Sequence, residues 1–198
     1  MKLFIYSITV SAVLILIGCQ SEFPLNKDLT KQNYNFFNQD SVEISFPGIN
    51  LGRITVIGFI YTHCPDICPM TTHNMFLTDQ RLNKDGIENV NFVLLTFDPD
   101  RDYPSMLKKF AQIRDIEFDN WSLLWNTKQN TNPLLKRLDI LAIPTDSSYT
   151  DNGELNYYVM HTDRISLIDQ KGHLRKNYMG STVNLDELYN DIKTLGKY

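Results

Sequence analysis

Arg53-Ile54-Thr55-Val56-Ile57-Gly58-Phe59-Ile60-Tyr61 runs directly into Thr62-His63-Cys64-Pro65-Asp66-Ile67-Cys68-Pro69. The first nine residues form a nearly continuous β-branched and aromatic run. Such a run predicts a strand buried on both faces of a sheet. Thr62 to Pro69 breaks the pattern. Met70 to Leu82 then has helix-compatible composition, with Asn83 to Gly86 as its stop. Two cysteines therefore sit between a buried strand and a helix. If the second half of their segment is helical, the four-residue spacing places both sulfurs on one side of a turn. They are then close enough to form a disulfide or to grip one metal ion. A helix N-terminus also stabilises a thiolate, the form that attacks disulfides and binds metal.

Working outward, Val42 to Phe46 alternates as a half-buried strand and ends at the turn Pro47-Gly48. Val90 to Phe97 is a second buried-strand run. Pro104 to Ile113 reads as a helix with proline near its start, where the missing N–H costs nothing. Trp121 to Trp125 is a short strand, and Asn132 to Leu138 a short helix with Pro133 at its first position. Arg164 to Asp169 and Leu174 to Tyr178 make a hairpin across Gln170-Lys171-Gly172. Leu185 to Leu195 closes the chain as a helix with Leu185, Leu188, Tyr189, Ile192 and Leu195 on one face. Alternation of strand and helix implies an α/β fold with a largely parallel sheet covered on both sides. The terminal hairpin adds antiparallel strands and makes the sheet mixed. Chemistry in such sheets gathers in loops beyond the carboxyl ends of the strands, where residues 62–69 fall.

Lys2 is the one charged residue among the first 21, and Leu3 to Ile17 is mostly apolar. That is short for a spanning helix, which wants about 20 apolar residues, and it has the form of a secretory signal. It ends in Leu16-Ile17-Gly18-Cys19, which resembles the lipobox of bacterial lipoproteins. Residues 1–18 are expected to be a removed signal peptide, and Cys19 the lipidated first residue of a membrane-attached chain. Residues 19–40, rich in Asn, Gln and Lys, read as a tether, and 41–198 as one domain on the extracytoplasmic side. The whole chain of 198 residues is 42% hydrophobic and 21% charged, which suits a single domain. A net charge of −4 argues against a nucleic-acid-binding surface.

Of three cysteines, Cys64 and Cys68 are the pair left once Cys19 is assigned. Two thiolates do not make a usual structural zinc site, which needs four N or S ligands. Any third ligand is then sought among the four histidines, 63, 73, 161 and 173. Two thiolates and an imidazole suit copper; zinc would need a further ligand such as water. A structural disulfide is the plain alternative, and chemistry alone leaves redox and metal binding open. His63 is expected to face solvent or tune its neighbour. His73 falls in the first helix and His173 in a solvated turn. His161, taken alone, fits a structural role just before the late strand. Asp98, Asp100 and Asp102 read as loop and capping residues, and Met160 as packing.

Together these residues resemble the Sco/SenC family of thioredoxin-like copper-binding proteins. The resemblance is carried by Tyr61 to Pro69, by Thr96-Phe97-Asp98-Pro99-Asp100-Arg101-Asp102, by His161 leading a late strand, and by the Gly172 hairpin with Tyr178-Met179-Gly180. It covers about residues 40–197. It implies a thioredoxin-like fold and a copper site made by Cys64, Cys68 and His161, with Asp98 behind it. It also implies delivery of copper to the binuclear centre of cytochrome c oxidase, whose copper-accepting subunit is the expected partner. The other reading is a thiol–disulfide reductase in which Cys64 and Cys68 keep the acceptor's cysteines reduced; either requires a thiol reductant for the pair. A peroxidase or redox sensor is a third class. One departure stands out: the family usually has Asp directly before this histidine, and here the residue is Met160. A monomer is the expected state.

Overall fold

The computed structural model describes residues 23–197 apart from 146, 150, 152 and 154. The expected signal peptide and Cys19 lie outside the described residues. Twelve strands and four α-helices are present among them. A two-residue strand β1 (Lys27–Asp28) is followed by the pair β2 (Tyr34–Phe37) and β3 (Glu43–Phe46). Then come β4 (Ile54–Ile60), α1 (Ile67–Lys84), β5 (Val90–Thr96), α2 (Pro104–Gln112), β6 (Trp121–Leu124) and α3 (Lys128–Arg137). Short strands follow: β7 (Ala142–Pro144), β8 (Ser148–Tyr149), β9 (Leu155–Asn156) and β10 (Val159–His161). The hairpin β11 (Ile165–Ile168) and β12 (His173–Tyr178) leads to α4 (Leu185–Leu195).

The main sheet has the order β1-β12-β11-β4-β5-β6. β4, β5 and β6 are parallel, and β11, β12 and β1 join antiparallel. The mixed sheet with flanking helices is as the sequence implied, but it is not largely parallel: three of its five strand pairings are antiparallel, because the terminal hairpin inserts beside β4 and β1 adds to its outer edge. Every residue of β4 is buried, as its nearly continuous β-branched and aromatic run implies. Gly58 at its centre has a specific purpose. A Cβ there would stand 2.6 Å from the Met75 sulfur of α1. The missing side chain lets α1 settle directly on the strand that leads to the cysteines.

The segment from 23 to 40 is not a tether but part of the domain. Phe23, Leu29, Tyr34 and Phe36 are buried in the core. The backbone is also committed: Leu25 N–H donates to Arg175 O at 3.1 Å, and Lys27 pairs with Leu174. The chain thus enters beside the far end of β12, near Tyr178, and runs antiparallel along it. The polar composition misled because four large side chains, spaced among Asn, Gln and Lys, suffice to anchor an edge strand and a hairpin. Replacing fully buried Phe36 by alanine should cost about 3–5 kcal/mol. A urea unfolding curve that does not move would show that this segment is dispensable.

Helix α1 starts three residues earlier than expected, at Ile67. Pro69 falls in its first turn, where a missing N–H breaks no intrahelical bond. Cys68 is consequently inside the helix. Helix α3 starts at Lys128 instead of Asn132, leaving Pro133 in its interior. Its first turn is held by Thr131, whose hydroxyl donates to Asn126 O at 3.0 Å, and Leu134 and Leu135 bury its apolar side. Between residues 141 and 161 the sequence reading found no strands. The structure has β7 paired antiparallel with β10, in the register Val159–Pro144, Met160–Ile143 and His161–Ala142. His161 therefore ends a strand of its own, before the chain turns into β11. No helix among the described residues is long and apolar enough to cross a membrane.

Candidate metal and redox site

Three elements converge beyond the carboxyl end of β4. The loop after the strand supplies Cys64, whose N–H donates to Tyr61 O at 3.2 Å. The first turn of α1 supplies Cys68, and the end of β10 supplies His161. Both cysteines are free thiols. The Cys68 N–H points at the Cys64 sulfur, 3.3 Å away. His161 Nε2 lies 3.7 Å from the Cys68 sulfur. One ligand atom from each of the three residues lies within 4.8 Å of the others, and this is the one such trio among the described residues. A three-coordinate metal with bonds of about 2.3 Å to sulfur and about 2.0 Å to nitrogen would hold them about 3.7 Å apart. The observed sulfur–nitrogen spacing already has that value.

The imidazole is held in a defined orientation. Its Nδ1 lies 3.3 Å from Thr162 O, so Nδ1–H donates there and Nε2 keeps its lone pair for the sulfurs' side. The ring sits against Phe97 at 4.7 Å and meets Tyr61 edge-on at 5.9 Å. A backbone carbonyl thus orients the ring, the task a carboxylate often has beside a metal-binding histidine. Met160 takes no part in this. It is 63% exposed, and strand alternation turns it away from the face His161 occupies. The expectation that it packs is wrong, because its partner in the register, Ile143, is also exposed.

The electrostatics divide the two thiols. Cys64 is pulled far below the ordinary thiol range, first by the hydrogen bond from Cys68 and then, against the cost of burial, by His161 and backbone N–H groups. Cys68 is pushed up by that same Cys64 interaction and by burial. Burial alone would lower His161, but its contacts with Cys64 and Thr162 outweigh it and the net shift is upward. The pair therefore carries one thiolate and one thiol near neutral pH. In a Cys19→Ser chain, thiolate absorbance at 240 nm should persist as pH falls from 9 to 6. An unfolded chain loses it over the same range as its thiols protonate around pH 8.5. A reduced folded protein whose absorbance fades like the unfolded chain's would refute the division.

The carboxylates of residues 98–102 behave differently from one another. Asp98 is 2% exposed and does not touch the three ligands. It accepts from Arg101 Nε and from the Tyr157 hydroxyl, both at 2.6 Å. It is linked to the site through Tyr157, whose segment leads into β10, and through the adjacent Phe97, which packs on the His161 ring. Asp100 pairs with Lys128 on the surface. Asp102, read from the sequence as a loop or capping residue, has a larger part than that. It is fully buried and accepts from the Thr62 N–H and hydroxyl and from the Thr96 hydroxyl. It ties the end of β5 to the start of the cysteine loop, and burial raises its pKa. His63 is largely exposed and 3.9 Å from Asp102, as expected of a peripheral group. His73 is exposed. His173 is half-buried between Asp28 and Asp169 and far along the sheet from the site, instead of fully solvated.

The chain is similar to known proteins over most of its length. A protein from Stutzerimonas stutzeri, described as a putative copper-binding protein, is 28% identical over 161 residues, 81% of this chain and 71% of its own. A SCO1/SenC family lipoprotein from Bacillus anthracis superposes with a TM-score of 0.73 at 27% identity, covering 89% of this chain and 98% of that one. BsSco, in which a disulfide switch was identified and which is described as a member of the Sco family of cytochrome c oxidase assembly proteins, superposes at 0.70 with 26% identity over 87% and 95%. The SCO1/SenC family model matches residues 24–197. With its thioredoxin-like sheet and its Cys64–Cys68–His161 cluster, the chain belongs to the SCO1/SenC family.

Proposed function

We propose that this protein is a copper metallochaperone, holding one copper ion between Cys64 Sγ, Cys68 Sγ and His161 Nε2 and delivering it to the binuclear copper centre of cytochrome c oxidase during assembly. The observation that carries the reading is the spacing of those three atoms, already compatible with a shared ion. Soft thiolates with one imidazole select copper over hard cations. A low coordination number leaves the ion open to an incoming ligand of the acceptor subunit. Cys64 is nearly buried and Cys68 wholly so, which limits loss to water. Binding needs both thiols reduced, so the redox state of the pair gates loading. Anaerobic titration of the reduced full chain in detergent tests this. One equivalent of copper(II) bound, with sulfur-to-copper charge-transfer absorption, supports the site; no such band sinks it.

The unequal thiols favour a second use of the same pair. The Cys64 thiolate can attack a disulfide in the acceptor, releasing one acceptor thiolate. Cys68, on losing its proton, then displaces the second, leaving a Cys64–Cys68 disulfide and two electrons on the acceptor. An external thiol reductant must reset the pair. The two uses are compatible, since an acceptor needs reduced cysteines before it takes copper.

The domain is proposed to sit outside the cytoplasm, lipid-anchored through Cys19 after removal of residues 1–18. The Leu16-Ile17-Gly18-Cys19 tetrad supports it. Cys19→Ala should abolish both lipid labelling and processing; a labelled, processed variant would contradict the assignment.

A further inference from the structure

Asp163, two residues beyond His161, has no part in the copper trio, yet its carboxylate accepts from three donors on two other segments. Oδ1 accepts from the Thr71 hydroxyl at 3.0 Å. The Ser181 N–H donates to both oxygens, at 3.1 and 3.0 Å, and the Ser181 hydroxyl to Oδ2 at 2.6 Å. Thr71 lies on α1, one turn beyond Cys68. Ser181 follows β12, and α1 grips that turn a second time: Asn74 Nδ2 donates to the carbonyls of Gly180 and Ser181 at 2.9 and 3.1 Å. Gly180 makes the approach possible. A Cβ on it would stand 2.5 Å from Asp163 Oδ1 and 2.6 Å from the Thr71 hydroxyl.

These contacts close a circuit. From Cys68, α1 leads one turn to Thr71, and Thr71 bonds Asp163. The peptide joining Asp163 to Thr162 carries the carbonyl that accepts from His161 Nδ1. The His161 ring then returns through Nε2 to the Cys68 sulfur. Every link but the last is a covalent segment or a hydrogen bond. The hold of the Thr162–Asp163 peptide on α1 therefore acts on the distance from Nε2 to the sulfur, alongside the pairing of β10 with β7.

We infer that Asp163 is a positioning residue for the copper site, setting the His161 imidazole against Cys68 through its hydrogen bond to Thr71. This rests on the copper reading above and adds a residue to it. It also accounts for Met160. With an exposed methionine before the histidine, the carboxylate that orders the imidazole sits two residues after it and acts through the backbone.

The test compares Thr71→Val, Thr71→Ser, Asp163→Asn and wild type as reduced full chains in detergent. Copper(I) affinity is read by competition with a chromophoric chelator, and the nitrogen hyperfine coupling of the copper(II) form by electron paramagnetic resonance. Thr71→Val keeps the shape and removes the hydroxyl; Thr71→Ser keeps the hydroxyl. Thr71→Val and Asp163→Asn are expected to weaken copper binding about tenfold and to reduce the nitrogen coupling. Thr71→Ser should keep wild-type values, which a mere packing role for Thr71 would not give. Wild-type affinity and coupling in Thr71→Val overturn the inference, as does equal loss in the valine and serine variants. A wild-type chain that binds no copper removes the copper reading, and this inference with it.

Discussion

His161→Ala should lower copper affinity on the order of 100-fold or more. It deletes one of the three proposed ligands, and even groups that only orient a ligand contribute 10–100-fold. The charge-transfer band should weaken and shift as the remaining two sulfurs take water or a buffer ligand. The same variant should still form a Cys64–Cys68 disulfide, because the Cys68 N–H and the helix start that support the Cys64 thiolate remain. The two measurements separate the two uses of the pair. A reductase tolerates loss of the imidazole, whereas a copper carrier does not. Equal copper binding by His161→Ala and wild type would remove the metallochaperone assignment and leave the thiol chemistry standing.

Gly180→Ala should destabilise the fold by about 2–3 kcal/mol, as expected for one methyl forced into a packed space. The added carbon meets the Asp163 carboxylate and both branches of Thr71, at 2.5–2.7 Å. None of these can retreat freely, since Asp163 is bonded on both oxygens and Thr71 is buried on α1. Gly48→Ala is the matched control. Its new Cβ would find its nearest neighbours 3.8 Å away, at Ser45, and the change should stay within about 0.5 kcal/mol. Urea unfolding midpoints of the two variants check the contrast. Equal midpoints would mean that the turn after β12 is free to move away from α1.

The parts of this fold that were legible in the sequence are those whose burial follows a local rule. β4 and β5 are nearly continuous apolar runs, interrupted by Thr55 in the first and Asn91 in the second. α4 matches its expected bounds because Leu188, Tyr189, Ile192 and Leu195 repeat at helical spacing, and the Asn184 side chain caps its first N–H groups. The cysteine pair was legible for the same reason: its spacing and its place between strand and helix are local facts. What escaped is non-local. Lys27 is paired with Leu174, and no periodicity in a two-residue strand announces it. His161 was chosen by resemblance. Its physical reason, the pairing of β10 with β7 that points it inward and Met160 outward, appears only in the folded chain. The parts played by Asp102, read only as a loop or capping residue, and by Asp163 could not be found from single positions either. Each matters through partners on another element, Thr62 and Thr96 in one case, Thr71 and Ser181 in the other.

On the metallochaperone proposal, the entry of the chain beside β12 bears on where copper would be handed over. If the lipid is carried by Cys19, only Gln20, Ser21 and Glu22 separate it from Phe23, which is already buried. Four residue steps span at most about 14 Å. Phe23 enters toward the Tyr178 end of β12, and Tyr178 pairs with Ile165 where the His161 segment joins the sheet. The domain is then on a short leash attached at the same end of the sheet as its cargo. It cannot swing out over the aqueous space to search for a distant acceptor. The acceptor's copper ligands have to come down close to the lipid surface, and collisions between the two proteins become a search in two dimensions.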